Sequence, residues 1–404
     1  MSAVAGEPPL NPPRYGAAAL ADLAPSVLAS LGVPGEVNTL GLPPARRACV
    51  LLVDGMGAHV LRENRDSAPF LASLIEEDSA PAPAGTVDSS PVSSAAVQFP
   101  PALTAGFPAT TATNLTSLGT GCAPGCHGIL GYQVAVPDTD RLLNQLRWNL
   151  DVDPHTWQPR GTVFQRARAA GLAASYVAPG AFEHGSFTAA SARGSTYWPA
   201  NDISELVVQA DAAVRSADRS YTFLYHSDLD SLGHMFGVGS AYWRAQLGFV
   251  DRLAEQVAQA IPADTALYIT ADHGMVDVSP EGRVDVETPS EFTSGVRVLG
   301  GEPRMRHVYT WPDATEDVHA AWTELLDGRA LVLRRQEVID HGWFGDTVPP
   351  EHRRRIGDLL AVTVGDTALV APASEPVEAQ LVGMHGSLTP TEVWVPLLRS
   401  GAAR

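Results

Sequence analysis

Four short segments of this chain place an aspartate or a histidine beside glycine. They are Asp54-Gly55, Asp230 to His234, Asp272-His273-Gly274 and His385-Gly386. Carboxylate oxygens mixed with imidazole nitrogens are a ligand set that suits Zn²⁺ or Mn²⁺. A fifth segment, residues 107–114 (FPATTATN), supplies hydroxyl groups where a helix should begin. Because a hydroxyl beside such ions can be a nucleophile, the set predicts a dinuclear metal site and the hydrolysis of phosphate esters.

The spacing within the segments supports this interpretation. Asp230 and His234 are four residues apart, so on a helix or tight turn both side chains project to the same side. Asp272 and His273 are adjacent, and at the irregular end of a strand both can turn toward one ion. A single Asp-Gly pair is often only a turn, and a single histidine is more often a packed residue than a ligand. Three acids and three histidines in glycine-flanked contexts together favour a metal site.

Apolar runs precede the acidic segments and predict the elements that hold them. Residues 48–53 (ACVLLV) are continuously apolar, which is typical of a central parallel strand buried on both faces. Asp54 then lies at the carboxyl end of that strand, where open α/β sheets bind ligands. Residues 221–225 and 266–270 are further strand candidates, and they alternate with helical segments. The pattern predicts an α/β fold with a mostly parallel central sheet flanked by helices.

The rhythm of strands and helices divides the chain into three parts. We expect a helix at residues 60–75, and an irregular or short-stranded segment at 79–106. Residues 276–380 do not continue the rhythm, which predicts a small inserted α/β cap. The expected parts are an N-terminal extension (1–44), a metallohydrolase core (45–275 and 381–404) and the cap (276–380).

The composition excludes several classes of function. The net charge is −18 and every basic residue is arginine, so nucleic-acid scanning and binding to anionic membranes are not expected. The three cysteines are too few for a disulfide framework, and Cys122 and Cys126 could bind metal or simply pack. The chain shows no signal pattern and no apolar run of 18 residues, so a cytoplasmic protein is the default expectation.

The motifs together resemble the alkaline phosphatase superfamily and, within it, the nucleotide pyrophosphatase/phosphodiesterase branch. The resemblance covers about residues 46–135, 220–280 and 380–400, and it is weak in the cap. It implies two divalent metal ions, with zinc expected and manganese the alternative. By the family's division, one ion would be held by Asp230, His234 and His385. The other would be held by Asp54, Asp272, His273 and the nucleophile.

The resemblance also selects a nucleophile. In this branch a catalytic threonine lies nine residues before the threonine of a Thr-Gly pair, and His-Gly-Ile follows shortly. Thr120-Gly121 and His127 anchor that alignment without a gap, which identifies Thr111. Thr110 is the rival and Thr113 a third candidate. All three could also be helix-capping residues, and this role is compatible with catalysis because a helix N-terminus stabilises phosphoryl oxygens.

The expected substrate contacts depart from the branch. A branch asparagine that donates a hydrogen bond to a phosphoryl oxygen is replaced here by Tyr132, whose phenol can donate likewise. Asn114 is a further candidate contact, or a helix-surface residue. Arg304 and Arg306 could reach over the site from the cap and bind phosphate, the alternative being a solvated cap strand. The aromatic clamp for a nucleotide base has no clear counterpart.

The resemblance therefore implies a hydrolase of phosphodiester or pyrophosphate bonds that works through a phosphothreonine intermediate on a small-molecule diester or nucleotide. A phosphomonoesterase or phosphonate hydrolase of the same superfamily is the alternative. Monoesterases often hold phosphate with an arginine near the nucleophile, whereas the next arginine after Thr111 is Arg141. A metal- and nucleotide-binding domain without catalysis is a remote alternative. The oligomeric state stays open.

Overall fold

The computed structural model describes residues 10–78 and 102–401, with only the backbone at residues 76–78. The strands are β1 (Arg47–Val53), β2 (Ala102–Thr104), β3 (Gln133–Ala135), β4 (Leu142–Asn144), β5 (Ala173–Ala178), β6 (Thr196–Pro199), β7 (Ser220–His226), β8 (Thr265–Thr270), β9 (Val276–Asp277), β10 (Arg283–Asp285), β11 (Val296–Glu302), β12 (Met305–Thr310), β13 (Ala330–Arg334), β14 (Leu359–Thr363), β15 (Ala368–Val370), β16 (Gly383–Met384) and β17 (Trp394–Gly401). The helices are α1 (Leu20–Ser30), α2 (Ala58–Glu63), α3 (Pro69–Asp78), α4 (Thr111–Thr120), α5 (Pro124–His127), α6 (Pro154–Trp157), α7 (Val163–Ala169), α8 (Ser186–Ser191), α9 (Ile203–Arg215), α10 (Asp228–Phe236), α11 (Ala241–Ala260), α12 (Ser290–Thr293), α13 (Thr315–Leu325), α14 (Arg335–Asp340), α15 (Pro350–Arg353) and α16 (Pro390–Val393).

A large central sheet organises the chain. Within the described residues it has seven strands in the order β2-β17-β8-β1-β7-β5-β6. Strand β1 pairs in parallel with β7 and β8, and β5 pairs in parallel with β7 and β6. Only β17 runs antiparallel, between β8 and β2. The predicted α/β fold with a mostly parallel sheet is therefore confirmed.

Both faces of the sheet are covered by helices. Every residue of β7 and β8 is buried, as is every residue of β1 after Arg47. Continuous burial of this kind occurs where helices pack on both sides of a parallel sheet. Helices α1, α4 and α7 contact one another, and α3, α9 and α11 form a second group. None of the helices that the structure describes is long and apolar enough to cross a membrane.

Two sequence-based expectations need correction or qualification. The single helix expected at residues 60–75 is two helices, because α2 ends at Glu63 and α3 begins at Pro69 after a 3₁₀ turn. Proline lacks a backbone N–H, so it is tolerated in a first turn and breaks a helix interior. Of the segment expected to be irregular at 79–106, residues 79–101 lie outside the described part, and residues 102–104 form β2.

A second sheet lies inside the expected insertion. Strands β11, β12, β14 and β13 form an antiparallel sheet, and residues such as Trp322 and Leu359 belong to a separate apolar core. Strand β9 pairs with β16 where the chain leaves and re-enters the core, which places His385 directly after β16. The exact boundaries of the three parts stay a prediction.

Candidate active site

The acidic segments meet at one edge of the central sheet. Asp54 follows β1, Asp272 follows β8, and the segment after β7 enters α10, which carries Asp230. These three strands are parallel neighbours, so their carboxyl ends lie side by side. This is the edge at which α/β sheets bind ligands.

Two glycines of the motifs permit the loops at this edge to approach closely. Gly55 has φ of 72°, and a Cβ atom built there would lie 3.1 Å from Cα of Asp230. A Cβ atom at Gly274 would lie 2.0 Å from the backbone oxygen of Thr391. A side chain at either position would force the loops apart, because left-handed backbone and close backbone contact both favour glycine.

The first group of ligands is Asp230, His234 and His385. Their candidate ligand atoms all lie within 4.8 Å of one another. Asp230 and His234 are one turn apart on α10, and Oδ2 of Asp230 is 3.3 Å from Nε2 of His234. Nε2 of His385 lies 3.9 Å from the other oxygen of Asp230. The structure therefore brings together the three side chains assigned to one ion.

The second group contains Asp54, His273 and again Asp230, with the same mutual separation of at most 4.8 Å. Oδ1 of Asp54 is 3.4 Å from Nε2 of His273, and Oδ2 of Asp272 is 3.5 Å from the same nitrogen. Oδ1 of Asp272 accepts hydrogen bonds from the N–H groups of Gly55 and His273. All six side chains thus converge, with Asp230 between the two groups. The division of ligands between two ions stays a prediction.

The histidines present their Nε2 atoms to the carboxylates. Nδ1 of His234 bonds to the carbonyl of Gly383 at 2.7 Å, that of His273 to Gly274 at 3.0 Å, and that of His385 to Ala109 at 2.9 Å. A carbonyl only accepts, so each Nδ1 carries a proton, and Nε2 is the ring nitrogen left to bind a cation whenever the ring is neutral. Such backbone contacts orient metal-ligating imidazoles in proteins.

Three buried carboxylate oxygens at this edge lack a donor. Oδ1 of Asp54, Oδ1 of Asp230 and Oδ2 of Asp272 have no hydrogen-bond partner among the described residues. Burial, reinforced by neighbouring carboxylates, raises the pKa of Asp54 and of Asp272. A buried negative charge without a partner is unfavourable. Bound cations would both balance the charge of these carboxylates and give their free oxygens a partner. The donor set therefore fits divalent metal ions.

Asp230 and His234 behave as an ion pair. Burial opposes the charge of each, but their mutual attraction lowers the pKa of Asp230 and raises the pKa of His234 to about 9. The pKa of His385 is instead well below its ordinary value, because of burial and the nearby His273. The ring centroids of His273 and His385 are 3.6 Å apart, so the two groups of ligands are in contact.

The hydroxyl of Thr111 joins this cluster. Thr111 is the first residue of α4, and its Oγ1 lies 3.2 Å from Nε2 of His273. The hydroxyl of Thr110 bonds instead to Glu302. Thr113 is buried, and its hydroxyl has no hydrogen-bond partner in the described part of the chain. Of the three candidate threonines, Thr111 therefore lies beside the ligands, at a helix N-terminus.

Comparison with known proteins shows the family. The family model for type I phosphodiesterase/nucleotide pyrophosphatase matches residues 48–388. The chain belongs to this family. It is accordingly an enzyme of the phosphoric ester hydrolase class, as the motifs predicted. No curated protein matches the sequence of this chain.

Solved structures share the fold at low sequence identity. Murine ectonucleotide pyrophosphatase/phosphodiesterase 5 superposes with a TM-score of 0.66 and 18% identity over 88% of each chain. An inactive Thr-to-Ala variant of the murine protein in complex with AMP gives 0.67 and 16%, again over 88% of each chain. The human protein gives 0.64 and 16% over 88% of each chain.

The Asn114 amide holds the loop that precedes helix α4. Its Oδ1 accepts from the N–H of Gly106 at 2.6 Å, and its Nδ2 donates to the carbonyl of Thr110 at 3.2 Å. The residue is fully buried rather than on the helix surface. Its predicted contact with substrate is not tested by these bonds and stays a prediction.

Tyr132 lies between the core and the cap. Its side chain is half-buried, and its hydroxyl donates to Oε1 of Glu378 at 3.4 Å. Burial raises its pKa, and Glu302 is close enough to add to that rise. Because Glu302 also approaches His385, Tyr132 is near the candidate metal ligands, and its role as a substrate donor stays a prediction.

The two cap arginines do not face the site. Nε and Nη2 of Arg304 bond to the two carboxylate oxygens of Glu392 at 3.0 and 2.7 Å. Arg306 donates to the carbonyl of Leu369 at 2.9 Å and to Glu375 at 3.0 Å. Both arginines are fully buried. They neither reach over the site to bind phosphate nor lie on a solvent-exposed strand, so both alternatives expected from the sequence are wrong. The sequence did not show where their carboxylate partners would lie.

Two residues of the site were not identified from the sequence. The hydroxyl of Tyr225 donates to Oδ2 of Asp54 at 2.5 Å, and Tyr225 pairs with Leu52 in the register of β7 and β1. Its position near the carboxyl end of the neighbouring strand was a usable signal. Glu302 ends β11, with Oε2 3.8 Å from Nδ1 of His385 and a pKa raised to about 8 by burial. No local pattern marked Glu302.

Proposed function

We propose that this chain is a metal-dependent hydrolase of phosphodiester or pyrophosphate bonds with Thr111 as its nucleophile. The observation that carries the proposal is the position of the Thr111 hydroxyl. It lies at the N-terminus of α4, 3.2 Å from Nε2 of His273, beside a cluster of six potential ligands. Carboxylate oxygens without donors belong to the same cluster, so the site is suited to cations and to a phosphoryl group.

The reaction that we infer has two displacements at phosphorus. The hydroxyl of Thr111 gives up its proton and its oxygen attacks phosphorus, while the bond to the leaving group breaks and that group takes up a proton from solvent, which leaves a phosphothreonine. Water then attacks the same phosphorus, the bond to the threonine oxygen breaks, and that oxygen regains a proton. The free N–H groups of the first turn of α4 would stabilise the charge of the phosphoryl oxygens of a bound substrate. Divalent ions bound to the aspartates and histidines would supply Lewis-acid stabilisation and favour ionisation of the threonine.

A solved structure with the same fold supports a threonine nucleophile and a nucleotide substrate. The murine protein that is inactive when one threonine is replaced by alanine was solved in complex with AMP. A nucleoside monophosphate is a product expected from hydrolysis of a nucleotide diester or pyrophosphate. We therefore propose that the substrate of this chain is a small phosphodiester or nucleotide.

The surroundings of the site favour diesters over monoesters. A monoester dianion carries an extra charge, whose additional charged hydrogen bond is worth roughly 1.5–3 kcal/mol. The two cap arginines are already paired with Glu392 and Glu375, so they are not available for that role. Tyr132 offers a neutral donor suited to a singly charged diester. A phosphomonoesterase or phosphonate hydrolase remains the alternative.

Zinc is the metal that we propose, since imidazole and carboxylate ligands in a buried site suit it better than magnesium or calcium. Manganese is the second choice. Direct elemental analysis of the purified protein, with both metals added back to chelator-treated enzyme, decides between them. A cytoplasmic location also stays a prediction.

The central experiment compares p-nitrophenyl phosphodiesters with p-nitrophenyl phosphate on the same metal-loaded enzyme. We expect kcat/KM to be larger for the diester by about tenfold or more, the factor that a lost charged hydrogen bond corresponds to. Chelation should abolish both activities, and added zinc should restore them. Faster monoester cleavage would place the chain with the phosphatases, and turnover that survives chelation would refute metal dependence.

The nucleophile is tested by alanine substitution along α4. Thr111→Ala should lower kcat by at least about 10⁴-fold, as removal of a nucleophile does in other hydrolases, with the metal content unchanged. Thr113→Ala is the matched control, because Thr113 lies in the same turn and does not contact the ligands. If Thr110→Ala were inactive while Thr111→Ala worked, the register would be wrong by one residue. Activity in both would exclude a threonine nucleophile.

A further inference from the structure

Two thiols lie at the end of α4 opposite to Thr111. Helix α4 ends at Thr120, Gly121 turns the chain with φ of 70°, and Cys122 follows. Cys126 lies in the next helix, α5. Sγ of Cys122 is 3.4 Å from Oγ1 of Thr120, and Cys122 and Cys126 line the same pocket. The two cysteines are therefore neighbours across the short turn between α4 and α5.

The thiol pair opens to solvent through a pocket. A cavity of about 510 Å³ is lined by Cys122 and Cys126 together with Glu36, Arg160 and Arg166. Both cysteines are half-buried, whereas Cys49 in β1 is completely buried. A small reagent can thus reach the pair and cannot reach the third cysteine of the chain.

The arginine charge at this pocket lies beside Cys126. Arg166 is paired with Glu36 at 2.5 Å, so that its charge is neutralised. The Arg160 guanidinium donates to the carbonyl of Cys126 at 3.2 Å. The neighbouring Cys122 thiol and the charge of Arg160 lower the pKa of Cys126 to about 7, while the pKa of Cys122 is raised. Cys126 is thus the more readily ionised and more nucleophilic of the two thiols.

We propose that Cys122 and Cys126 are a redox-active dithiol that a hydroperoxide converts reversibly into a disulfide. The sulfur of Cys126 attacks a peroxide oxygen, the O–O bond breaks, and an alcohol or water leaves, so that Cys126 becomes a sulfenic acid. The sulfur of Cys122 then displaces the hydroxyl group as water, and the S–S bond forms. The two thiols lose two electrons and two protons, which the peroxide takes up, and an added dithiol reverses the change.

A metal site is the competing use of the two cysteines. The groups of potential metal ligands among the described residues contain no cysteine, and a guanidinium beside the pair repels a cation. A structural zinc site needs four ligands, whereas this pocket offers two thiols next to an arginine. The contacts therefore favour redox chemistry over metal binding.

The test uses the full-length, metal-loaded protein and hydrogen peroxide as the oxidant. After peroxide, we expect two of three thiols to resist alkylation in denaturant and the intact mass to fall by about 2 Da, the mass of two hydrogens. Peptide mapping should find the link between Cys122 and Cys126, dithiothreitol should restore both thiols, and Cys49 should stay reduced. Three free thiols after peroxide, or a pair protected by bound zinc, would overturn the proposal.

Three variants locate the chemistry within the pair. Cys122→Ser should leave a sulfenic acid on Cys126 that dimedone traps, whereas Cys126→Ser should lose at least tenfold in its rate of reaction with peroxide. In the native protein, the alkylation rate of Cys126 should rise with a midpoint near pH 7. Arg160→Met should move that midpoint upward and Arg160→Gln, the polar control, should do the same, because both remove the charge. An unchanged midpoint in both would refute the role of Arg160, and equal reactivity of the two cysteines would refute the asymmetric pair.

Discussion

Two sets of buried carboxylates in this chain differ in their hydrogen-bond donors. At the edge of the central sheet, Asp54 and Asp272 each keep an oxygen without a donor among the described residues. Near the cap, Glu392 receives two hydrogen bonds from Arg304 and a third from the N–H of Ser387 at 3.0 Å. Both sets are buried and both lie close to the candidate active site.

The difference separates a functional site from a structural one. The negative charge of a buried carboxylate bonded to arginine is balanced, and the ion pair holds two parts of the chain together. The charge of carboxylates with free oxygens is balanced only when cations bind. The absence of donors around the aspartates is therefore informative, because the same protein supplies arginine to two other buried acids, Glu392 and Glu375.

The largest effect should come from neutralising the free carboxylates. Asp54→Asn and Asp272→Asn should each lower kcat/KM for a diester by about a thousandfold, since several kcal/mol of charge stabilisation is lost with the metal ligand. In chelator, both variants should melt at a higher temperature than the native protein, because an unfavourable buried charge has gone. Kinetics and thermal melts with and without chelator measure the two effects. Lower melting temperatures in chelator would contradict the comparison.

The arginine-paired carboxylate should respond in the opposite way. Arg304→Met leaves Glu392 buried without its partner, which should reduce the free energy of unfolding by about 3–5 kcal/mol. Denaturant titration measures this loss. The double variant Arg304→Met/Glu392→Leu should recover most of the stability, because no unpaired charge remains. If Arg304→Met instead weakened substrate binding and left stability unchanged, Arg304 would be a phosphate ligand after all.

The comparison of buried ionisable groups also includes His307, which follows Arg306 in β12 and can be tested by a pH titration. Nε2 of His307 donates to the carbonyl of Leu130 at 2.9 Å, and Nδ1 accepts from the N–H of Gly357. Burial lowers the pKa of His307 from 6.5 to about 4, so that the ring stays neutral. Below pH 6.5 the unfolded chain binds a proton that the folded chain does not, which should remove about 3 kcal/mol of stability between pH 6.5 and 4.

Denaturant titrations across that pH range, for the native protein and His307→Gln, measure the contribution of this histidine. The variant should be less stable at pH 7 and should lose less stability in acid. Other buried histidines also titrate, so the difference between the two proteins is the relevant quantity. Identical pH dependence of the two proteins would contradict a neutral His307.

The smallest effect should come from Tyr132→Phe, which removes one neutral donor near the ligands. A neutral hydrogen bond contributes about 1 kcal/mol, so kcat/KM for a diester should fall by about fivefold. Steady-state kinetics measure this change, and Tyr242→Phe on the exposed face of α11 is the control. A loss of a hundredfold or more would make Tyr132 an essential group, and no loss would remove it from the substrate contacts.

The local patterns predicted much of the fold and most of the cluster. The apolar run at residues 48–53 predicted a buried strand, and β1 is that strand, with parallel neighbours on both sides. Asp54 and Asp272 were predicted as candidate ligands because each comes after an apolar strand. Asp230 and His234 were predicted because their four-residue spacing puts them on one side of a helix or tight turn. Such features depend on neighbours in the chain, so the sequence displays them directly.

The contacts between distant residues were decided only by the tertiary structure. The cap arginines were expected either over the site or in solvent, and they are instead buried against Glu392 and Glu375. Glu302 beside His385, and the open pocket at Cys122 and Cys126, had no local signal either. These partners are brought together by packing of the cap and the loops on the sheet. Spacing along the chain carries no information about them, because their separation in space is set by long-range burial rather than by backbone periodicity.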